Sequence, residues 1–286
     1  MEWMIGVLVV LLMMSGVFAF IYYSNHSVVL SKHVYCNAGI PQTFHGYRIL
    51  QVSDLHGDLP RRKFHRLLGM IREEKPDIVV FTGDAIDHVH RRQYHKAVAF
   101  MQELSEEFTV YYVTGNHEYM HVECRPIIGA YERMKCRVLH NEEVSLEKDG
   151  QKIYLYGVDD PYALYKGNVP EKYKTPEDDF RELFRSLFPE RSGFSILLSH
   201  RPEFFDEYVA GNYDLVFTGH AHGGQWWIPF VQGLIAPDQG LFPKYVKGKY
   251  VREGTTMYVS RGLGNSVVPV RLFNRPELVM VTLQGE

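Results

Sequence analysis

Five short segments of the sequence each carry an apolar, β-branched run that ends on a residue type able to bind metal. They span residues 49–56, 78–84, 110–118, 196–200 and 215–222. Apolar runs of this length read as strands buried on both faces. Open α/β sheets bind their ligands where the downstream ends of such strands meet. At those ends stand Asp54, His56, Asp84, Asn116, His200, His220 and His222, with no Cys among them. Oxygen and imidazole donors suit Mn, Fe or Zn and not a structural zinc knot, which favours thiolates. The set is too large for one ion and sufficient for two that share a bridging carboxylate. The pattern predicts a hydrolase built around two divalent metal ions, of Mn, Fe or Zn.

The chain's 286 residues allow one large core or two small ones, and 45% hydrophobic with 23% charged residues is an ordinary globular balance. A formal net charge of −3 offers no basic field, so a nucleic acid polymer is not an expected partner. Cys36, Cys124 and Cys136 show no CxxC spacing and read as inert buried thiols. Residues 3–23 carry no charged side chain. At about 1.5 Å of helical rise per residue this run crosses a hydrocarbon core of about 30 Å. A cleaved signal peptide would want Lys or Arg before the apolar stretch, where only Met1 and Glu2 stand. The expected organisation is a single-pass membrane anchor over 3–23, a connector over 24–45 and a catalytic body over 46–286. Lys32 tilts the body toward the cytoplasm and the free amino terminus tilts it back, so the sequence assigns no side.

Within the body, residues 59–74 and 93–108 have helical periods between the first three strands, which predicts parallel neighbours with right-handed crossovers. Residues 126–135 and 176–188 read as further helices. Asp149–Gly150 between two apolar-alternating runs signals a hairpin. More strands are expected over 256–260 and 278–283. The sum is one α/β domain with either a single mixed sheet or two facing sheets, and helices outside.

Asp54 and His56 are two residues apart, so in extended geometry both point to one side and can grip one ion. Asp84 can offer an oxygen to each of two ions, and His222, two residues beyond His220, can return to the first. Two cations about 3.5–4 Å apart acidify a shared water and clamp phosphoryl oxygens.

The order Asp54-x-His56, Gly83-Asp84-x-x-Asp87, Gly115-Asn116-His117-Glu118, His200 and Gly219-His220-x-His222 resembles the calcineurin-like metallophosphoesterase superfamily. The resemblance implies two facing mixed β-sheets flanked by helices, here preceded by one transmembrane helix. It implies hydrolysis of a phosphoester or diphosphate bond by a metal-bridging hydroxide. One metal would take Asp54, His56, Asp84 and His222, and the other Asp84, Asn116, His200 and His220. His117 would act on the substrate phosphate as a catalytic residue, oriented by Asp87. The loop Arg261-Gly262-Leu263-Gly264-Asn265 is similar to one in a membrane-associated bacterial branch that includes UDP-2,3-diacylglucosamine pyrophosphatase. A lipid-linked substrate is one expectation from that similarity and the anchor, although an anchored catalyst need not act on lipid. Protein phosphatases of the superfamily carry Arg after the residue matching Asp87, whereas this chain has His88, which argues against a phosphoprotein substrate.

Plainer roles stand beside these. Asp87 can cap a following helix, and Glu118 reads as a structural hydrogen-bond acceptor. The aromatic, Pro-rich stretch 225–250 can cover the cleft, bind an acyl chain, rest on the membrane interface or fold back on the sheet. The basic face of 59–74 reads as solvated, with anionic lipid as the other reading. The rival functions are a phosphodiesterase of soluble nucleotides and a non-catalytic, metal-stabilised scaffold.

Overall fold

The computed structural model describes residues 2–57, 60–89, 94–165, 176–188, 193–228, 232–265 and 270–285. Readings that fall on His90, Pro229, Phe230 and residues 166–175 lie outside the described residues. In chain order the elements are α1 (Glu2–His26), β1 (Val29–Cys36), β2 (Arg48–Val52), α2 (Arg61–Glu74), β3 (Ile78–Thr82), α3 (Tyr94–Glu107) and β4 (Val110–Val113). There follow α4 (Asn116–Met120), α5 (Cys124–Glu132), β5 (Cys136–Val138), β6 (Glu142–Lys148), β7 (Gln151–Gly157) and α6 (Glu177–Ser186). Then come β8 (Ser195–Leu198), α7 (Phe205–Ala210), β9 (Leu215–Thr218) and the short pairs β10 (Trp227–Ile228) with β11 (Gln232–Gly233) and β12 (Ile235–Ala236) with β13 (Gly240–Leu241). The chain closes with β14 (Gly248–Arg252), β15 (Thr255–Val259) and β16 (Glu277–Gln284).

Two six-stranded sheets result, in the orders β1-β16-β2-β3-β4-β5 and β14-β15-β9-β8-β7-β6. The run β2-β3-β4-β5 is parallel, as is β15-β9-β8-β7, and antiparallel partners β16, β14 and β6 make both sheets mixed. Period-two alternation assigns each residue to a layer. Ile49, Ile78, Val80, Val113, Ile153, Leu155, Ile196, Leu198, Leu215 and Phe217 fill the space between the sheets. Leu50, Val52, Val79 and Phe81 face outward onto Leu67, Leu68, Ile71, Phe100 and Leu104 of α2 and α3. Tyr156, Leu197 and Val216 pack against Phe180, Phe184 and Tyr208 of α6 and α7. The architecture is therefore helix, sheet, sheet, helix. Each buried Leu or Ile contributes about 1.5–3 kcal/mol.

The region over 24–45 differs from the connector that was expected. It contains β1, which pairs in parallel with β16 along its whole length, from Val29↔Glu277 to Cys36↔Gln284. Ser31, Lys32 and His33 break the apolar alternation, so the strand is defined by a partner distant in sequence. Its Cys36 is also exposed, unlike Cys136. The apolar segment Trp3–His26 is a helix long enough to cross a membrane, and its apolar window is not buried by the body.

Candidate metal centre

The downstream ends of β2, β3 and β4 in one sheet, and of β8 and β9 in the other, converge on one rim. Gln51 ties the two sheets together just behind it. Its Nε2 donates to Thr82 Oγ1 at 2.8 Å and to the Thr218 carbonyl at 2.9 Å. Thr82 and Thr218 each precede a Gly and then a nominated donor, Asp84 or His220.

Asp54 and His56 leave β2 through a tight turn, with φ of 51° and 53°. Their convergence on one side therefore comes from left-handed turn residues and not from the extended geometry expected. Asp84 (φ 54°), His220 (φ 63°) and His222 (φ 47°) share that conformation. Turns this tight need Gly as neighbour. A Cβ on Gly219 would overlap Ser53 Oγ and Asp54 Oδ2, and one on Gly115 would overlap Asp84 Oδ1. Glu118, fully buried, fixes the Asp84 turn: Oε2 accepts the backbone N–H groups of Asp84 (2.9 Å) and Gly115 (2.7 Å). Its structural reading agrees with these contacts.

The donors gather in two clusters. In one, His222 Nε2 lies 3.0 Å from His56 Nε2 and 3.3 Å from Asp54 Oδ1. In the other, His200 Nε2 lies 3.2 Å from Asp84 Oδ2 and 3.2 Å from His220 Nδ1. Asp84 Oδ2 also stands 3.9 Å from His56 Nε2, so this carboxylate faces both clusters. Two donors of one cation with bonds of about 2.0–2.2 Å lie about 2.8–3.6 Å apart. The observed spacings have that scale. Asn116 Oδ1, next along the rim, is buried without a hydrogen-bond partner among the described residues, as a neutral metal donor would be.

The electrostatics agree with a cation. Burial, with the His117 imidazole adding to it, lowers His56 to about 3. Burial and Arg201 lower His220 to about 3, and burial with His56 takes His222 well below its ordinary value. These rings are neutral and their lone pairs are available. Burial opposes charge on His200 too, yet the Asp84 carboxylate outweighs it and lifts that ring to about 10. Burial raises Asp54 to about 6.

His117 stands over this centre, its Nε2 3.9 Å from Asp84 Oδ2 and its Nδ1 3.4 Å from Asp87 Oδ1. Asp87 also accepts Val89 N–H at 2.8 Å, closing a turn. His88 Nδ1 approaches His117 Nδ1 at 3.1 Å. Asp54, His56, Asp84, Asp87, His117, His200, His220 and His222 thus fall into groups that share members, while Asn116 is placed by its position between Gly115 and His117. Other residues of the site were not nominated from the sequence. Arg201 is wholly buried and bonds Asp160 Oδ2 through Nε at 2.5 Å. Its Nη1 donates to Asp238, whose carboxylate is 3.2 Å from His220 Nε2 and orients that ring. Buried Arg271 lies 3.5 Å from His222 Nδ1 through Nη2. A charged residue following the apolar run at His200 was a usable signal for Arg201. Asp238, in the Pro-rich stretch, gave none.

Residues 47–224 match the model of the calcineurin-like phosphoesterase family. The metallophosphoesterase YkuE of Bacillus subtilis (strain 168) is 31% identical over 268 residues, covering 92% of this chain and 88% of the relative. The metallophosphoesterase F40B5.2 of Caenorhabditis elegans is 31% identical over 244 residues, covering 82% of this chain and 48% of its own. A Danio rerio transmembrane protein with metallophosphoesterase domain is 28% identical over 254 residues, 86% of this chain and 55% of that protein. The solved Haemophilus influenzae NAD nucleotidase aligns with a TM-score of 0.50 at 18% identity, over 76% of this chain and 45% of the other, a likeness of fold.

Proposed function

The chain belongs to the calcineurin-like phosphoesterase family and is a metal-dependent phosphoric ester hydrolase, and from that premise we propose a membrane-anchored enzyme with two divalent ions that cleaves a phosphoester or diphosphate bond. The observation supporting two ions is the position of Asp84, whose Oδ2 is 3.2 Å from His200 Nε2 in one cluster and 3.9 Å from His56 Nε2 of the other. Asp54, His56, Asp84 and His222 would hold one ion; Asp84, Asn116, His200 and His220 would hold the other. When bound, two such ions acidify water and neutralise phosphoryl oxygens. His117 supplies a proton to the leaving oxygen or stabilises charge on the phosphate. Burial opposes a proton on His117, but the Asp84 and Asp87 carboxylates outweigh it and raise its pKa above the ordinary value. Asp87 keeps that ring aimed inward.

Of the substrate classes, the pyrophosphatase-like branch implies a lipid-linked diphosphate. The loop that carries this resemblance, 261–265, lies against the Asp54 turn: Leu263 N–H donates to the Ser53 carbonyl at 3.0 Å and Gly264 N–H to the Asp54 carbonyl at 2.6 Å. What supports a lipid-linked substrate is the membrane anchor proposed in α1 from its length and composition.

The test is hydrolysis of an aryl phosphodiester with Mn²⁺ by the full chain, Asp84→Asn and His117→Ala. Loss of the shared carboxylate is expected to abolish turnover, and loss of the imidazole to slow it about 10²–10⁴-fold. Equal rates in all three proteins would remove the catalytic reading.

A further inference from the structure

The end of α1 is bolted to the rim of the metal centre. Asn25 Oδ1 accepts the Arg271 backbone N–H at 2.8 Å, and Asn25 Nδ2 donates to the Arg271 carbonyl at 3.2 Å. Arg275 Nε donates to the Ser27 carbonyl at 3.0 Å, and its guanidinium lies 4.7 Å from the centre of the Tyr23 ring. Lower on the helix, the Phe273 ring packs 4.9 Å from Phe20. Phe20 is five residues before Asn25, about 7.5 Å deeper along the helix axis. Phe273 therefore reaches down to the apolar run and not merely to its end.

Phe273 is 58% exposed, and its φ of 50° is a conformation that bulky aromatics rarely adopt. Local folding would favour Asn or Asp at this place. Beyond its contact with Phe20, most of this large apolar side chain is left uncovered by the protein. Its neighbours continue the same surface. Trp226 Nε1 donates to the Val270 carbonyl at 3.0 Å, and Trp227 N–H donates to the Leu272 carbonyl at 2.9 Å. Lys247 Nζ lies 3.3 Å over the Trp227 ring. Half-buried Trp beside Lys is the side-chain chemistry of a bilayer interface. The belt begins four residues after His222, and Arg271, whose backbone holds Asn25, touches His222 with its guanidinium.

From this continuity we infer that Phe273, Trp226 and Trp227 form a second membrane-seated element beside α1, which fixes the metal cleft at the bilayer surface for phosphate groups carried on lipids. The occupant of this surface is the lipid interface, since α1 leads into it without a break. A dissolved nucleotide gains nothing from such placement. A lipid phosphate reaches the cleft while its tails stay in the bilayer. The substrate part of the inference rests on the phosphoesterase reading above; the membrane seat does not.

The sequence offers a direct probe, because its 3 Trp are Trp3, Trp226 and Trp227. With Trp3→Phe, the full-length protein in phosphatidylcholine vesicles reports only from the proposed seat. Chains brominated near the headgroup should quench at least half of its fluorescence relative to unbrominated lipid. In the same vesicles, Phe273→Asn, which suits the left-handed backbone, should slow hydrolysis of phosphatidic acid or a lipid diphosphate at least tenfold. A water-soluble aryl phosphodiester should then be cleaved within twofold of the parent rate. Absence of quenching overturns the seat, including the case in which a protein partner covers this surface. Faster turnover of soluble nucleotides than of every lipid phosphate overturns the substrate class, as does equal slowing of both substrates by Phe273→Asn. Quenching without turnover of any phosphoester leaves the seat standing and removes the phosphoesterase reading instead.

Discussion

Asn25→Ala tests whether α1 and the catalytic body are one mechanical unit. The side chain serves Arg271 twice, accepting its N–H at 2.8 Å and donating to its carbonyl at 3.2 Å, across 246 residues of sequence. Removing it strands a partly buried backbone donor, which costs about 1–2 kcal/mol, and deletes a second bond worth about 0.5–1.5 kcal/mol. The total is about 1.5–3.5 kcal/mol. For a chain of this size each kcal/mol moves the melting temperature by about 2–4 °C, so a fall of about 3–14 °C follows. Asn25→Asp keeps the acceptor and loses the donor, and should fall between Ala and the parent. The measurement is thermal unfolding of the full-length proteins in one detergent at one scan rate, followed by tyrosine fluorescence. Melting of the Ala variant within about 1 °C of the parent would refute the reasoning. It would show that the Asn25–Arg271 bonds do not couple α1 to the body, leaving the Arg275 and Phe273 contacts and β1 to do so.

Two further outcomes follow from the cleft and the core. Gly219→Ala places a Cβ against Ser53 Oγ and Asp54 Oδ2; it should abolish Mn²⁺ binding measured by calorimetry while circular dichroism stays unchanged, and retained binding would contradict the crowding described. Native-state thiol labelling should find Cys36 promptly, since it is exposed. Burial pushes the Cys124 and Cys136 thiols up to about 12, so mass spectrometry should show both reacting only after denaturation.

The strands that carry the candidate donors were legible because they are buried on both faces. Ile78–Thr82 is apolar at nearly every position, so its run stands out against any neighbour, and Asp84 follows at once. The helices between those strands were equally plain, since α2 and α3 each bury one face and expose the other. β1 was not legible: its polar centre is tolerated at a sheet edge, where pairing with β16 supplies what the sequence pattern lacks. The Asp238–His220 and Arg271–Asn25 contacts were invisible for a related reason. Each joins segments whose separation no periodicity records, and each is made by one or two hydrogen bonds. The local conformation at Asp54 and His56 is not legible from alternation, which describes a strand and says nothing of the turn that ends it.

That turn bears on why these residue types stand where they do. Asp54, His56, Asp84, His220 and His222 all occupy the left-handed region, which costs a non-glycine residue about 1–3 kcal/mol. Asp, Asn and His are the residues that enter it most readily, since their short polar side chains bond locally. They are also oxygen and imidazole donors. A strand end that must reverse sharply and present a metal-binding group therefore has few residue types that meet both demands. The strain persists because the surroundings over-determine the turn: Glu118 holds the Asp84 and Gly115 amides, and Gln51 ties Thr82 to Thr218 across the sheets. A cation arriving at such a centre finds the donors already placed, with spacings of 3.0–3.3 Å inside each cluster. On the proposed ligand set, the stability given up in the turns would be returned as metal affinity, because little rearrangement would remain to oppose binding.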